Sequence, residues 1–201
     1  MKTLDAKAAL LVVDMQMGFR DPEWGTRNNP MMEARIVSLL AVSRATGTTV
    51  IHVHHDSPHV EGRLRRGTSG NDPMPETQPS DKEKLYRKSV NSAFIGTSLE
   101  FDLRQSGIDT LVIVGLTTNH CISTTARMSG NLGFDTYVVS DATATFDRRG
   151  LDGRMRLAED VHLAALSDLN EEFATIVDTA EVLAALTHED ETASRGSHAH
   201  A

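Results

Sequence analysis

Apolar residues occur in short unbroken runs that alternate with stretches where they recur every three or four positions. Ala8 to Val13 is such a run, closed by Asp14. An apolar run without a polar position predicts a central strand covered on both faces. Asn29-Pro30 then supplies an N-cap and a proline at the first helical position. Met32, Ile36, Leu39 and Leu40 line one face of the helix that follows, and Gly47 is placed to end it. Thr48 to His55 reads as a second strand, Lys84 to Lys88 as a short third, and Thr110 to Val114 as a buried fourth. Between the last two, Thr97 and Glu100 form a capping-box pattern that opens a helix through Gln105, stopped at Gly107. A helix from about Cys121 to Leu132, a strand Thr136 to Ser140, a helix Leu157 to Leu169, a strand Phe173 to Val177 and a closing helix Ala180 to Leu186 complete the pattern.

Strands alternating with helices in this way predict an α/β fold: a Rossmann-like, doubly wound, six-stranded, mostly parallel sheet with helices on both faces. A chain of 201 residues suits one domain, expected over 1–189. The small, polar stretch from 190 to 201 is expected to be a disordered tail. Ser57 to Glu83 holds four of the six prolines and three glycines, and a stretch of that length without periodicity reads as a lid.

Composition narrows the function. A net charge of −8 argues against a nucleic-acid partner, which would need clustered Lys and Arg. No apolar run approaches the ~20 residues that cross a bilayer, so no membrane partner is expected, and the apolar N-terminal stretch reads as a strand instead of a signal peptide. A lone cysteine makes no internal disulfide, which points to a reducing cytoplasm. No G-x-G-x-x-G follows a strand, so dinucleotide binding is disfavoured.

Ligands of open α/β sheets bind beyond the carboxyl ends of the strands. Asp14 ends the first strand, Lys88 ends the third, and Cys121 follows the fourth at the start of a helix. A helix N-terminus and a nearby cation lower a thiol pKa from ~8.5, and Cys121 is expected to have both. Asp14 is suited to take the thiol proton and return it to a departing amine. The turn Gly115 to His120 offers backbone N–H groups to a developing oxyanion, with Gly115 permitting close approach to substrate. Each residue also has a plain structural reading: a buried cysteine, a loop-bracing aspartate, a solvated lysine.

The segments LLVVDMQMGF, RKSVNSAF and VGLTTNHCISTTAR, with GFDTYVVSDATATFD after them, resemble the blocks of the isochorismatase-like cysteine hydrolases, from about Ala8 to Val177. The resemblance implies that Asp14, Lys88 and Cys121 form a catalytic triad, that Leu116–Thr117 is a cis peptide, and that the backbone N–H groups of Thr117 and Cys121 form an oxyanion hole. It implies an oligomer, a homodimer or larger, to which Met31, Met32, Met128 and Met155 could contribute contacts. Isochorismate hydrolases have another residue in place of the cysteine, so Cys121 implies cleavage of a C–N bond (amide, lactam or carbamoyl) in a small molecule through a thioester. The KSVNSAF and TTNHCISTTAR blocks are most similar to the branch that includes streptothricin hydrolase.

Nicotinamidases of that family hold a metal through an Asp-x-His pair after the second strand. Here the strand reads HVHHDSPH, with Asp56 after its histidines; His52 and His54 share one face and His55 takes the other. The expectation is an enzyme with no metal and no cofactor. Phe19 and Trp24 are candidate pocket walls, and His54, Asn91 and His120 candidate polar contacts to substrate. Arg63, Arg65 and Arg66 are candidates to attract an anionic one. A metal-dependent nicotinamidase-like amidase and a catalytically idle binding protein of the same fold are the alternatives. A nitrilase-type amidase would need a second glutamate and a longer chain, and a redox thiol would need a resolving cysteine.

Overall fold

Strands that are apolar throughout need cover on both faces, and the computed structural model provides it. It describes residues 4, 5 and 7–196, those from 188 onward as backbone only. In chain order the elements are β1 (Ala8–Val13), α1 (Met32–Thr46), β2 (Thr49–His55), β3 (Lys84–Lys88), α2 (Leu99–Gln105), β4 (Thr110–Leu116), α3 (Ser123–Asn131), β5 (Asp135–Ala144), β6 (Arg148–Arg149), β7 (Met155–Arg156), α4 (Ala158–Ser167), β8 (Thr175–Val177) and α5 (Thr179–Gly196). Six strands form one parallel sheet in the order β3-β2-β1-β4-β5-β8, while β6 and β7 make a small antiparallel ribbon. The doubly wound fold expected from the sequence is therefore present. Its switch point lies between β1 and β4, where the chain reverses its direction of travel across the sheet.

Alternation along β1 divides the core. Leu10 and Val12 face α1 (Ile36, Leu39, Leu40) and α5 (Val182, Ala185, Leu186). Ala9, Leu11 and Val13 face Leu99 and Leu103 of α2, Ala126 of α3 and Leu166 of α4. Among the described residues no helix is long and apolar enough to cross a membrane. Met31 and Met155 are exposed, Met128 is half-buried, and Met32 lies fully inside the α1 core; Met32 is thus not available as a contact between copies.

Several boundaries differ from the sequence pattern for identifiable reasons. Asn29 does not cap α1, which starts at Met32 without a side-chain cap. It adopts a left-handed backbone (φ 47°) and sends its amide to the carbonyls of Ser140 (2.9 Å) and Thr143 (2.7 Å). Those carbonyls belong to a bulge in β5, where the pairing jumps from Ile113↔Val138 to Gly115↔Thr143. The bulge lets β5 run on past Ser140 to Ala144. The capping box before α2 does not form: Thr97 bonds the Ala93 carbonyl and Glu100 pairs with Arg104. The closing helix has helical backbone to Gly196; residues 197–201 of the expected tail lie outside the described residues.

The stretch 57–83 is a strap fastened to the domain and not a free lid. Leu64, Asn71, Met74 and Thr77 are buried, and backbone bonds tie it to the chain after β1, from Met17 N to Asp72 O (2.9 Å) and from Met74 N to Met15 O (2.9 Å).

Gly115 permits close approach, but to protein. It pairs with Val13 at φ 117°, and a Cβ there would lie 2.0 Å from the Val13 carbonyl oxygen. Gly115→Ala should therefore destabilise the protein by at least ~3 kcal/mol, as expected of a backbone clash in the sheet centre. Chemical denaturation measures it; a loss under ~1 kcal/mol would contradict the clash.

Candidate active site

The switch point gathers residues that are remote in sequence. Asp14 leaves β1 with a left-handed backbone (φ 54°), its N–H held by the Val53 carbonyl at 2.7 Å. That turn carries its side chain over the strand ends, at a conformational cost for a residue with a Cβ. Lys88 ends β3, two strands away from β1. Crossing two strand spacings, roughly 9–10 Å, needs a long side chain, and lysine has one. Cys121 sits in a single π-helical turn, Thr118–Ile122, between β4 and α3. Such turns recur at functional sites.

The Lys88 ammonium is the centre of the group. Nζ donates to Asp14 Oδ2 at 2.7 Å and to Cys121 Sγ at 3.2 Å, and lies 3.3 Å from His55 Nδ1. The Lys88 and Asp14 side chains are wholly buried, and Cys121 is only 8% exposed. A carboxylate oxygen of Asp14, a ring nitrogen of His55 and the sulfur all lie within 4.8 Å of one another. Asp14 Oδ1 has no hydrogen-bond partner among the described residues, so a buried acceptor is left over beside the thiol.

Burial pulls the Lys88 pKa down, but the Asp14 carboxylate and Cys121 more than reverse this and hold it above the ordinary lysine value. The thiol moves the other way from expectation. Burial and the Asp14 charge push Cys121 well up, and Lys88 offsets only part of this. Burial and the neighbouring carboxylate thus oppose the low thiol pKa expected from a helix N-terminus and a cation. A buried group surrounded by an intact ion pair behaves as desolvation dictates.

The other predicted residues fall in different places. Asn91 Oδ1 is 3.9 Å from the sulfur. His120 is exposed and bonded to Arg148 at 3.2 Å. Phe19 and Trp24 join Phe146 in an aromatic cluster, with centroids 5.3 Å apart for Phe19–Trp24 and 5.5 Å for Trp24–Phe146, packed on the α1 side of the core. His54 is buried with Nδ1 unpartnered among the described residues, and its pKa is lowered to about 4 chiefly by burial. The histidine at the ion pair is His55. Arg63 is not free for an anion: it pairs with Asp21 and Glu23 and lies over Trp24. Leu116–Thr117 is a cis peptide, and the Thr117 carbonyl accepts from His120 N (3.0 Å) and Ile122 N (3.2 Å).

The residues that hold this turn and the strand ends leave little trace in the sequence. His162 Nδ1 is 2.8 Å from Thr118 Oγ1, and Thr145 Oγ1 donates to Asn119 Oδ1 at 2.5 Å. Gln16 and Asn71 bond the backbone of His55. Only Gln16 carried a signal, two residues after Asp14.

The Isochorismatase domain family matches residues 8–181. The chain belongs to the isochorismatase family. It is 44% identical to the isochorismatase family protein YrdC of Bacillus subtilis, over 90% of this chain and 96% of that one. A putative hydrolase of the family from Chromobacterium violaceum, solved by crystallography, superposes with a TM-score of 0.90 at 39% identity, over 94% of this chain and 97% of that one. Relatives with named activities include maleamate amidohydrolase of Pseudomonas putida, 27% identical over 90% of this chain and 88% of that protein. Streptothricin hydrolase of Streptomyces noursei, 30% identical, matches 69% of this chain and 50% of its own length. The protein is thus an isochorismatase-family hydrolase whose relatives include amidases.

The donor set after β2 does not fit the metal site of the nicotinamidases. Asp56 Oδ1 accepts from Arg87 (2.7 Å) and Asn71 (3.0 Å), His52 Nε2 is bonded to Glu83 at 3.0 Å, and His59 is exposed. The Asp14, His55 and Cys121 donors converge instead on the Lys88 ammonium, whose charge repels a cation.

Removing one member of a buried ion pair strands the other, at ~3–5 kcal/mol. Lys88→Met should lose about that much stability at neutral pH, whereas Lys88→Met with Asp14→Asn should lose clearly less than the two single changes summed. Urea unfolding of the three variants measures it. Simple additivity would contradict a coupled pair.

Proposed function

We propose that the protein is a cysteine hydrolase that cleaves an amide-type C–N bond of a small molecule through a thioester. The observation that carries this is one buried ammonium within hydrogen-bond distance of both Asp14 Oδ2 and Cys121 Sγ. As substrate enters, the thiol gives its proton to Asp14 and the sulfur attacks the carbonyl carbon. The backbone N–H groups of Thr117 and Cys121 receive the developing oxyanion. Asp14 then passes the proton to the departing nitrogen, the C–N bond breaks, and a thioester remains. Asp14 next accepts a proton from water, whose oxygen attacks the thioester; the acid leaves and the proton returns to sulfur. Lys88 stays charged throughout. The amidase names among the relatives support the bond type, and leave the acyl group open.

Screening small amides, carbamoyl compounds and lactams for released ammonia or amine identifies a substrate. On it, Cys121→Ser and Cys121→Ala should each lose at least roughly a thousandfold in kcat, as nucleophile removal does elsewhere. Serine is similar in size, but its hydroxyl ionises far less readily than a thiol. Full activity in folded Cys121→Ser would refute the nucleophile.

The chemistry is proposed to need no metal. Purified without an affinity tag, the protein should keep its activity after chelation and dialysis. Stoichiometric zinc or iron, with activity lost on its removal and restored on its return, would favour the nicotinamidase-like alternative.

A further inference from the structure

One group in contact with the ion pair has no part in the proton transfers above. His55 is the last residue of β2, half-buried, and lies beside Lys88 in the parallel pairing of β2 with β3. Because β2 separates β3 from β1, the Lys88 side chain must pass the end of β2 to reach Asp14.

We propose that His55 is a positioning residue of this site: its Nδ1 accepts the third N–H of the Lys88 ammonium and so fixes the cation between Asp14 and Cys121. This rests on the hydrolase reading above.

A lysine ammonium has three donors and no acceptor. Buried, each donor left unmatched costs the desolvation of that group. Asp14 Oδ2, Cys121 Sγ and His55 Nδ1 stand at 2.7, 3.2 and 3.3 Å from Nζ and supply one partner for each donor. Without the third, the ammonium is free to rotate or to withdraw toward β3.

Nδ1 can accept only if the ring is neutral with its proton on Nε2. The surroundings favour that form. Burial, then the Lys88 charge, lower the His55 pKa, against Asp14, Asp56 and the Val90 backbone, which raise it. The groups that face it are Asp14 from the end of β1, Asp56 after β2, Lys88 from β3 and Cys121 from the π-turn.

The His55 backbone is itself clamped. Its N–H donates to Gln16 Oε1 at 2.8 Å, and its carbonyl accepts from Gln16 Nε2 (3.0 Å) and Asn71 Nδ2 (2.9 Å). Gln16 is fully buried and two residues beyond Asp14, so one short segment fixes both the carboxylate and the strand end that carries the imidazole.

Two measurements test this, and neither needs turnover. In 15N-histidine-labelled wild-type protein, with the His55 ring signals assigned by their loss in His55→Gln, the ring should be the neutral Nε2–H tautomer, titrating below the ordinary ~6.5. In parallel, Cys121, the one cysteine of the chain, is alkylated with iodoacetamide at pH 8. His55→Leu should react about tenfold more slowly, the effect of raising the thiol pKa by roughly one unit. His55→Gln, whose amide oxygen can accept from Lys88, should stay within about threefold of wild type. An Nδ1–H tautomer, or alkylation of folded His55→Leu at the wild-type rate, overturns the proposal. The tautomer is read on wild type, so it decides even if His55→Leu does not fold. A retained Nε2–H tautomer together with full hydrolysis by Cys121→Ser would refute the nucleophile reading and not the His55–Lys88 contact.

Discussion

A buried ammonium survives only where its charge and its three N–H groups are all answered, and the carboxyl ends of three strands are arranged to answer those of Lys88 on a fourth. The carboxylate comes from the end of β1, the imidazole from the end of β2, the lysine from the end of β3, and the sulfur from the turn after β4. Such an arrangement costs desolvation on both members of the ion pair, and well-packed apolar residues would stabilise the fold at least as well. The wholly buried pair is therefore better explained by chemistry than by stability.

The sheet order makes the arrangement reachable. With β1 and β4 adjacent at the switch point, Asp14 and Cys121 come together beyond the carboxyl ends of the two strands. Gly115 keeps β4 tight against β1 just before the turn that carries the cysteine. Beyond it, the β5 bulge held by Asn29 and the side chains of Thr145 and His162 support the same turn from the other side. The positions of sulfur and carboxylate thus depend on backbone fit deep in the sheet, with little contribution from the surface.

What could be read from the sequence follows from which forces leave a periodic trace. Apolar cover on two faces leaves unbroken runs, so the strands, their order along the chain and the doubly wound class were all legible. Asp14 and Cys121 are legible because each follows such a run, Lys88 because it ends the short third strand, and the family blocks around them agree. Side-chain to backbone bonding leaves no period. Asn71, buried in what reads as a polar loop, gives no sign that it ties that loop to His55 and Asp56 and braces it at Leu64. Asn29 looked like a helix cap because Asn-Pro is usually that, whereas two freed carbonyls 111 and 114 residues away claimed its amide. Strand alternation did assign His55 to the face opposite His52 and His54, but not its neighbour, since the lysine arrives from another strand. The thiol pKa escapes the sequence for a related reason. Helix end and cation are visible in a sequence, while burial and the nearby carboxylate act only once the chain has folded.

That raised thiol pKa is compatible with nucleophilic chemistry once charge is counted over the whole site. In the proposed chemistry the group starts as a carboxylate, an ammonium and a neutral thiol. After proton transfer it holds a carboxylic acid, the same ammonium and a thiolate. The net charge is unchanged, and the cation exchanges one anionic partner for another without moving, because Nζ already touches both Asp14 Oδ2 and Cys121 Sγ. In a dry site the costly event is creation of an unpaired charge, and this transfer creates none. Ionising the thiol into bulk solvent is a different process, which leaves the Asp14 carboxylate and a thiolate side by side, and burial opposes it strongly. The proposed nucleophile therefore ionises only sparingly into solvent, and readily when its proton passes to Asp14 as the sulfur meets a carbonyl that can take the electron pair.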